Sequence, residues 1–370
     1  MRASNVLGII YSSIYDESLP ELTHVRTMGS VPFAGRYRLI DFPLSGMVNC
    51  GITAVGVNTK SNYHSLMDHL GSGKPWDLSR KNDGLTILPP FDLAGNGGIY
   101  RNRIEALQSM MNYFSHVNKE YVLFCDSNVV CNIDYEAFID GHIKSGADIT
   151  IAYKFGKKPK LQNLMTLILD GDKVTKALTN DNDGAEKNYS LNIVVMKKQL
   201  LERLVSAAVA TGADSFGRDI INAHCDTLDI RGCKVDEFAY IIDSMQTYYN
   251  VSMKLVSGDY QKLFKKDLPI YTKVRDDMPA IYGIDAKVSN SLIADGCIIK
   301  GTVENSILFR GAQVAEGAVV KNAVLMQDSF ISEGVSVNCA VLDKNVVVKP
   351  GKSLSGADTC PLYVAKDSIV

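Results

Sequence analysis

The feature that most constrains the fold of this chain is a six-residue spacing of aliphatic side chains after residue 300. A six-residue repeat with one aliphatic side chain in each repeat is the signature of a β-helix, whose short strands stack as successive coils. Gly311 and Gly317 keep the same spacing. An ordinary β-sandwich with chance spacing is the alternative. The aliphatic rows are Leu308, Val314 and Val320; Val319, Leu325, Ile331 and Val337; and Val335, Val341 and Val347.

Before the repeat, strand-like and helical segments alternate. NVLGIIYS, ITAVGVNT and YVLFCDS are apolar runs typical of buried strands, whereas Ile104, Leu107 and Phe114 follow helical spacing. Asp170-Gly171 between two apolar runs predicts a hairpin. Strands that alternate with helices predict an α/β fold with a mostly parallel sheet covered on both faces.

The chain length allows two or three domains, since a domain takes roughly 150 residues. The patterns predict an α/β domain over residues 1–256 and a β-helix domain with a C-terminal tail over residues 281–370. The polar segment 257–280, which contains Pro269 and Pro279, is predicted to be a linker.

Charge and composition exclude several classes of function. Lys plus Arg number 39 and Asp plus Glu number 41, so the net charge is -2, which favours neither nucleic acid nor an anionic membrane as a partner. No apolar run is long enough to span a bilayer. The cysteines form no C-x-x-C pair and the histidines show no zinc-ligand spacing beside them. We therefore expect a cytoplasmic protein whose cysteines are small buried hydrophobes.

The loop after the first strand is where an open α/β sheet would bind a ligand. A phosphate cradle there needs glycines, so that backbone N–H groups can approach the phosphates closely. No glycine lies between Gly8 and Gly29, and the loop carries Asp16 and Glu17, which would repel a triphosphate. The loop is therefore a poor nucleotide-binding loop.

A pair of arginines is a candidate for a phosphate site. Arg36 and Arg38 flank a tyrosine and could hold a phosphate, or could form an ion pair with Asp41. Both interpretations stay open from the sequence.

Acidic and amide side chains follow two of the predicted strands. Asp126, Asn128 and Asp134 come after YVLFCDS, and Asp243 comes after EFAYIID. Carboxylates at strand ends often bind Mg²⁺, so Asp243 paired with a residue after the first of these strands could hold the metal. The alternative is that Asp126 and Asp134 are turn and helix-cap residues and that Asp243 is structural.

These stretches together resemble one family over almost the whole chain, the ADP-glucose pyrophosphorylases, or glucose-1-phosphate adenylyltransferases, of glycogen synthesis. The resemblance implies a Rossmann-like nucleotidyltransferase domain followed by a left-handed β-helix, assembled as a tetramer. It implies a reaction in which ATP and glucose 1-phosphate give ADP-glucose and pyrophosphate, with Mg²⁺. The matching stretches are PFAGRYRLIDFPLS, GSGKPWDL, IYRN after a glycine-rich turn, NIDY, the strand before Asp243, and GTVENSILFRGAQVAEGAVVKNAV.

The chain departs from this family at the positions that carry the chemistry. The stretch Ser12–Leu19 stands where the family has its glycine-rich, arginine-containing loop, and Met28 stands at a lysine. Asn128 aligns with the aspartate of G-D-H that holds Mg²⁺, and Gly97 with the aspartate of G-T-A-D-A-I-Y. VTKALTN stands where the family has its sugar-phosphate lysine. The metal-binding aspartate of D-V-G-T is matched by Asp243, followed by a shortened loop.

These departures imply weak or absent catalysis, because positioning and charge neutralisation carry nearly all of a phosphoryl-type transfer. The pattern is that of a non-catalytic, regulatory subunit that pairs with a catalytic subunit of the family, in a heterotetramer whose Mg²⁺ the catalytic partner would bind. In the family, basic residues in this part of the chain contribute to an anionic effector site, and the matching residues are Arg26, Arg36 and Arg38. A sugar phosphate or AMP would be the effector.

Two alternatives remain open from the sequence. The chain could be an active adenylyltransferase with altered residues, or a hexapeptide-repeat acyltransferase. Acyl transfer at such coils generally needs a histidine, and His224, the last histidine, precedes the repeat.

Overall fold

The computed structural model describes residues 3–90, 100–179, 181 and 184–370. An α/β region runs to Leu263, an extended segment covers residues 264–280, and stacked short strands begin at Ile281. None of the helices in these ranges is both long and apolar enough to cross a membrane.

The α/β region contains thirteen strands and nine α-helices within the described residues. The strands are β1 (Val6–Tyr11), β2 (Pro32–Phe33), β3 (Tyr37–Arg38), β4 (Ala54–Asn58), β5 (Gly84–Leu88), β6 (Tyr121–Asp126), β7 (Val129–Cys131), β8 (Ile149–Lys157), β9 (Thr166–Asp170), β10 (Lys173–Leu178), β11 (Glu186–Lys197), β12 (Ile230–Lys234) and β13 (Ala239–Ile241). The helices are α1 (Pro20–Thr23), α2 (Asp41–Asn49), α3 (His64–Leu70), α4 (Arg103–Ser109), α5 (Met111–His116), α6 (Tyr135–Ser145), α7 (Lys198–Ala210), α8 (Met245–Lys254) and α9 (Tyr260–Leu263). Short 3-10 or π turns cover Ala3–Asn5, Asp16–Ser18, Met28–Ser30, Lys74–Trp76, Phe216–Ile221, Asn222–His224 and Leu255–Asp259.

Nine of these strands form the main sheet, in the order β5-β4-β1-β6-β11-β8-β12-β10-β9. β5, β4, β1 and β6 are parallel neighbours, and β11 runs antiparallel to both β6 and β8. The hairpin predicted at Asp170-Gly171 joins β9 and β10 at the sheet edge.

Strand β1 shows why the sheet is covered on both faces. Val6 and Ile10 belong to one hydrophobic cluster, and Leu7, Ile9 and Tyr11 belong to the cluster on the opposite face. Because successive side chains of a strand point to opposite faces, a continuous apolar run is what a doubly covered strand requires.

The second region is a parallel β-helix with three faces. Its strands are β14 (Ile281–Tyr282), β15 (Lys287–Ser289), β16 (Leu292–Ile293), β17 (Ile298–Ile299), β18 (Thr302–Glu304), β19 (Ile307–Leu308), β20 (Gln313–Val314), β21 (Val319–Leu325), β22 (Phe330–Ile331), β23 (Ser336–Leu342), β24 (Val347–Val348), β25 (Ser353–Ser355) and β26 (Leu362–Val364). Gln313 lies beside Phe330 and Phe330 beside Val347, so these coils repeat every 17 residues.

The 17-residue coil explains how far the six-residue spacing holds. Leu308, Val314 and Val320 point into the core, and the next large aliphatic side chain there, Leu325, follows after five residues, with small alanines buried between them. Val319 and Val347, which the predicted rows included, are half-buried. The steps between the large aliphatic side chains of this coil are therefore six, six and five residues, with the shortened step at a corner. The α/β and β-helix classes predicted from the sequence are confirmed.

The two regions share a hydrophobic cluster. Phe33 and Phe42 from the α/β region pack in it with Tyr248 of α8, and Phe309 and Met326 enter it from the β-helix. The α/β region and the β-helix are therefore joined through a core and not only through the extended segment.

An ion pair crosses the same interface. The Arg26 guanidinium donates from Nη1 and Nη2 to the two carboxylate oxygens of Asp343, at 2.9 Å each, and both side chains are buried. The Tyr363 hydroxyl donates to the Glu21 carbonyl at 2.6 Å, which ties the last coils to α1.

Candidate functional site

A cleft of about 380 Å³ lies beyond the carboxyl ends of β1 and β4, where an α/β sheet binds its ligand. The loop after β1, the segment before α4 and the residues after β8 form its walls. Its polar lining includes Tyr15, Lys60, Arg103, Lys160, Asn192 and Asp214.

The polar groups of the loop after β1 form hydrogen bonds with one another. The Met28 backbone N–H donates to Asp16 Oδ1 at 2.7 Å, and the Gly29 N–H donates to the Ser12 carbonyl at 2.9 Å. The Thr23 hydroxyl donates to the Asp16 carbonyl at 2.6 Å. Burial raises the pKa of Asp16 to about 7. The N–H groups of Met28 and Gly29 are thus used within the loop instead of facing a phosphate.

Met28 does not face the cleft. Its side chain is 1% exposed and lies in the hydrophobic cluster shared with the β-helix. A lysine at this position would therefore place its ammonium group in an apolar core and not in the cleft.

Asn128 and Asp243 lie near each other, as two strand ends predict. The Ile242 N–H donates to the Asn128 carbonyl at 2.8 Å, and Asn128 Nδ2 donates to the Ile242 carbonyl at 3.2 Å. Asp243 accepts from the Lys160 N–H at 2.9 Å and from the hydroxyls of its neighbours Ser244 and Thr247.

The residues present do not fit Mg²⁺ at this place. Asp243 is the only carboxylate of the two side chains and both of its oxygens already accept hydrogen bonds, whereas Asn128 Oδ1 is buried, accepts none and would offer the ion only a neutral ligand. Among the described residues, no three His, Cys, Asp or Glu side chains group as metal ligands. Asp134 caps α6 by accepting from the Ala137 N–H at 3.0 Å, as its helix-cap interpretation predicts. Gly97 lies outside the described residues.

Asp126, the other strand-end carboxylate, is bound to an arginine. Arg103 Nη2 lies 2.7 and 2.6 Å from the two carboxylate oxygens of Asp126, and the Arg103 guanidinium carbon lies 4.6 Å from the centroid of the Tyr11 ring. Asp126 is 1% exposed, whereas Arg103 lines the cleft. The sequence did not single out Arg103.

A second cavity, of about 250 Å³, lies between the two regions. Cationic side chains come to it from both regions and from the extended segment between them, and Asp68 is its one acidic lining residue among those described. Asp68 is bound by Lys273 Nζ at 3.0 Å. The cationic lining residues are Arg36, Arg38, Lys273, Arg275, Arg310 and Lys344. Such a concentration of like charge favours an anionic ligand.

The α/β side of this interdomain cavity holds two of the three predicted effector residues. Arg38 Nη1 donates to the carbonyl and hydroxyl of Ser65, at 2.6 and 2.8 Å, and burial lowers the pKa of Arg38 to about 10. Asp41 accepts from His69 Nε2 at 2.6 Å and from the Arg38 backbone N–H at 3.0 Å. The Arg38 guanidinium therefore binds Ser65 and does not form the predicted alternative ion pair with Asp41, whose carboxylate binds His69. Arg36 is exposed and lines the cavity.

Arg26, the third predicted effector residue, is not a lining residue of this cavity. Both of its terminal nitrogens bind Asp343, so its charge is used in the domain interface. The expectation that Arg26 offers its guanidinium to an effector does not fit this geometry.

The β-helix side supplies cations that sequence reasoning missed. Burial lowers the pKa of Arg310, which is 4% exposed, and lowers the pKa of Lys344 to about 7. Arg310 lies in the repeat stretch that carries the family resemblance, but the repeat spacing gives no sign of a ligand, so only the three-dimensional arrangement brings Arg310 and Lys344 beside Arg38.

Two family models match the chain. A nucleotidyl transferase model matches residues 17–163, and a model of a GlmU-like C-terminal hexapeptide region matches residues 280–360. These ranges fall on the α/β region and on the β-helix.

Curated relatives match over most of the chain. Glycogen biosynthesis protein GlgD of Bacillus subtilis (strain 168) is 35% identical over 318 residues, covering 86% of this chain and 83% of the relative. Glycogen biosynthesis protein GlgD of Geobacillus stearothermophilus is 37% identical over 319 residues, with the same two coverages. A glucose-1-phosphate adenylyltransferase of Pseudothermotoga lettingae is 32% identical over 324 residues, covering 85% of this chain and 76% of the relative.

Proposed function

The chain belongs to the family that contains glycogen biosynthesis protein GlgD and the glucose-1-phosphate adenylyltransferases, and from this membership we propose that it is a non-catalytic, regulatory subunit of an adenylyltransferase that makes ADP-glucose. Its partner would be a catalytic subunit of the same family, which would supply the Mg²⁺ site. The observation that carries this proposal is the contrast between the two cavities: at the strand-end cleft the loop N–H groups and the Asp243 carboxylate are used in hydrogen bonds within the protein, whereas six cationic side chains line the interdomain cavity.

The interdomain cavity supports an anionic effector, such as a sugar phosphate or AMP. Arginine binds phosphate through charge-assisted, bidentate hydrogen bonds, and Arg36, Arg38 and Arg310 approach the cavity from both regions. A bound anion would favour the ammonium form of Lys344, whose pKa is lowered to about 7 by burial. The ligand would therefore be held by the α/β region and the β-helix together.

Replacing Arg38 with alanine is expected to weaken effector binding at least tenfold, which corresponds to about 1.4 kcal/mol, because a charge-assisted hydrogen bond contributes roughly 1.5–3 kcal/mol. The chain's single tryptophan provides the measurement, since the His69 ring, which lines the cavity, packs at 5.7 Å from Trp76. Titration with AMP and with glucose 6-phosphate would be followed by tryptophan fluorescence and by activity of the complex.

Two further variants make this test specific. Lys344→Met removes a cation from the β-helix wall and should weaken the same binding, whereas Arg203→Ala, at an exposed position of α7 away from the cavity, should leave it unchanged. An unchanged effector response in Arg38→Ala together with lost assembly would show that Arg38 is structural and would remove the effector site from the proposal.

The first coil of the β-helix supports assembly with a partner subunit. β14 ends its face of the β-helix and pairs with β17 alone among the described strands, so one edge of β14 is open. Ile281, Tyr282 and Ile284 are more than half exposed at this end, as is Met278 just before it. An open, apolar strand edge favours pairing with another chain. A catalytic subunit with the same hexapeptide coils would cover it.

We expect the chain and a catalytic glucose-1-phosphate adenylyltransferase from the same organism to form a hetero-oligomer, measurable by light scattering of the mixture. Ile284→Asp should reduce the fraction in the complex severalfold, because it places a carboxylate in the apolar contact. Ile369→Asp, at an exposed isoleucine near the opposite end of the β-helix, is the matched control. A chain that stays monomeric beside the catalytic subunit would argue against the regulatory role itself.

A further inference from the structure

Arg103 lines the cleft, and its positive charge is neutralised by a carboxylate that lies deeper in the protein. Its side chain is 10% exposed, and its Nη2 donates to both oxygens of Asp126 at 2.7 and 2.6 Å. Asp126 lies at the end of β6 and is 1% exposed. The carboxylate therefore sits on the protein side of the guanidinium, and the cleft on the other.

Neighbouring side chains hold this pair in place. The guanidinium of Arg103 lies over the Tyr11 ring, and Asn192 Nδ2 donates to the Tyr15 hydroxyl at 3.0 Å. Tyr15 and Asn192 line the cleft beside Arg103. An arginine held over an aromatic ring with a fixed carboxylate has little freedom to turn toward a ligand.

The cleft otherwise keeps the charge that an anion would need. Lys60 and Lys160 also line it, whereas Arg101 is engaged with Glu105 Oε1 at 2.7 Å. With a free guanidinium at Arg103, three cations would face one cavity of about 380 Å³. Glu17 and Asp214 line the cleft as well, and Asp214 is bound to Arg218. At the wall formed by Arg103, the negative charge that limits anion binding is the Asp126 carboxylate.

We propose that Asp126 is a built-in counter-anion which occupies Arg103 and thereby makes the cleft reject phosphorylated ligands. Asp126 is in this sense a specificity-determining residue for the cleft, and it acts through Arg103 without contacting a ligand. The inference rests on the proposed non-catalytic function and gives it a physical cause beyond the closed loop and the missing metal ligand. The class of ligand excluded is phosphate and pyrophosphate esters, nucleoside triphosphates included.

The test uses pyrophosphate as the probe, without metal, on the full chain. Asp126→Asn removes the carboxylate charge with little change of shape and should create a binding event at least tenfold tighter than any at the wild-type cleft. Calorimetry would measure it, with Trp76 fluorescence recorded in parallel, because binding in the interdomain cavity should change that signal and binding in the cleft should not. Pyrophosphate should also raise the melting temperature of Asp126→Asn more than that of the wild type.

Two control variants separate the specific effect from a change in net charge. Asp214→Asn removes one negative charge from another wall of the same cleft, where Asp214 binds Arg218 instead of Arg103, and should give no new binding. Adding Arg103→Met to Asp126→Asn should abolish the new event. Equal gains in Asp126→Asn and Asp214→Asn would overturn the proposal, as would no gain in Asp126→Asn.

A further variant covers the case in which Asp126→Asn does not fold. Replacing both partners, Arg103→Met with Asp126→Leu, leaves no buried charge uncompensated and should leave pyrophosphate binding as it is in the wild type, because Arg103 is already neutralised there. Weaker pyrophosphate binding in this double variant would show that Arg103 holds anions in the native chain and would overturn the proposal. None of these measurements requires the partner, so a failed inference would leave the hetero-oligomer and the effector response of the complex standing.

Discussion

Replacing Arg26 with alanine is expected to lower the free energy of unfolding by about 3–5 kcal/mol, because removing one partner of a buried ion pair leaves the other charge buried without compensation. The side chain of Asp343, which would lose its arginine, has no exposed surface. Its remaining hydrogen-bond partners would be the Lys344 N–H at 2.7 Å and the Tyr363 hydroxyl at 3.3 Å. Urea unfolding followed by circular dichroism would measure the change through the transition midpoint.

An exposed ion pair provides the matched control for Arg26. Arg218 binds Asp214 and Asp219 at 2.5 and 2.6 Å, yet its side chain is 56% exposed. Arg218→Ala should therefore change the free energy of unfolding by no more than about 1 kcal/mol. If both variants moved the midpoint equally, the buried pair would not be a principal contact between the α/β region and the β-helix.

The chain alone is expected to release pyrophosphate from ATP and glucose 1-phosphate at least about a thousandfold more slowly than a catalytic relative. Losing a single transition-state donor costs roughly a hundred- to a thousandfold in rate, and such losses do not add simply. The closed loop at Asp16 and the amide of Asn128 remove two kinds of phosphate and metal contact.

Restoring single groups should not rescue this activity. Asn128→Asp adds a carboxylate at a position that is 1% exposed and loses the hydrogen bond to the Ile242 carbonyl. Met28→Lys places an ammonium group in the hydrophobic cluster between the two regions, so the double variant should lose stability instead of gaining rate. A catalytic relative assayed beside the purified chain is the control, and robust turnover by the wild type would establish the chain as an active adenylyltransferase.

The main folds could be predicted because each has its own periodicity. Strand–helix alternation indicates the α/β sheet, and the spacing of Leu308, Val314 and Val320 indicates the β-helix. The shortened step to Leu325 could not be predicted, since it depends on how the chain turns a corner and not on which residues are apolar.

The site was harder to predict because its decisive contacts are distant in sequence. Arg26 and Asp343 are 317 residues apart, and no local pattern connects them. Alignment with a family motif identified Met28 as a replaced lysine but could not show that its side chain points into the interface. Arg103 was missed for a related reason: a lone arginine in a helical segment gives no signal until its carboxylate partner is known.

The shared core between the α/β region and the β-helix limits the kinds of motion available to this molecule. A hinge between them would expose Phe33, Phe309 and their neighbours to water and would separate Arg26 from Asp343. Domain closure, the common way in which a two-domain protein responds to a ligand, is therefore energetically unfavourable here. A molecule bound in the cavity between the two regions would therefore stabilise or strain their contact without moving one region far from the other. Its effect would be transmitted to another chain through the surfaces at which that chain binds.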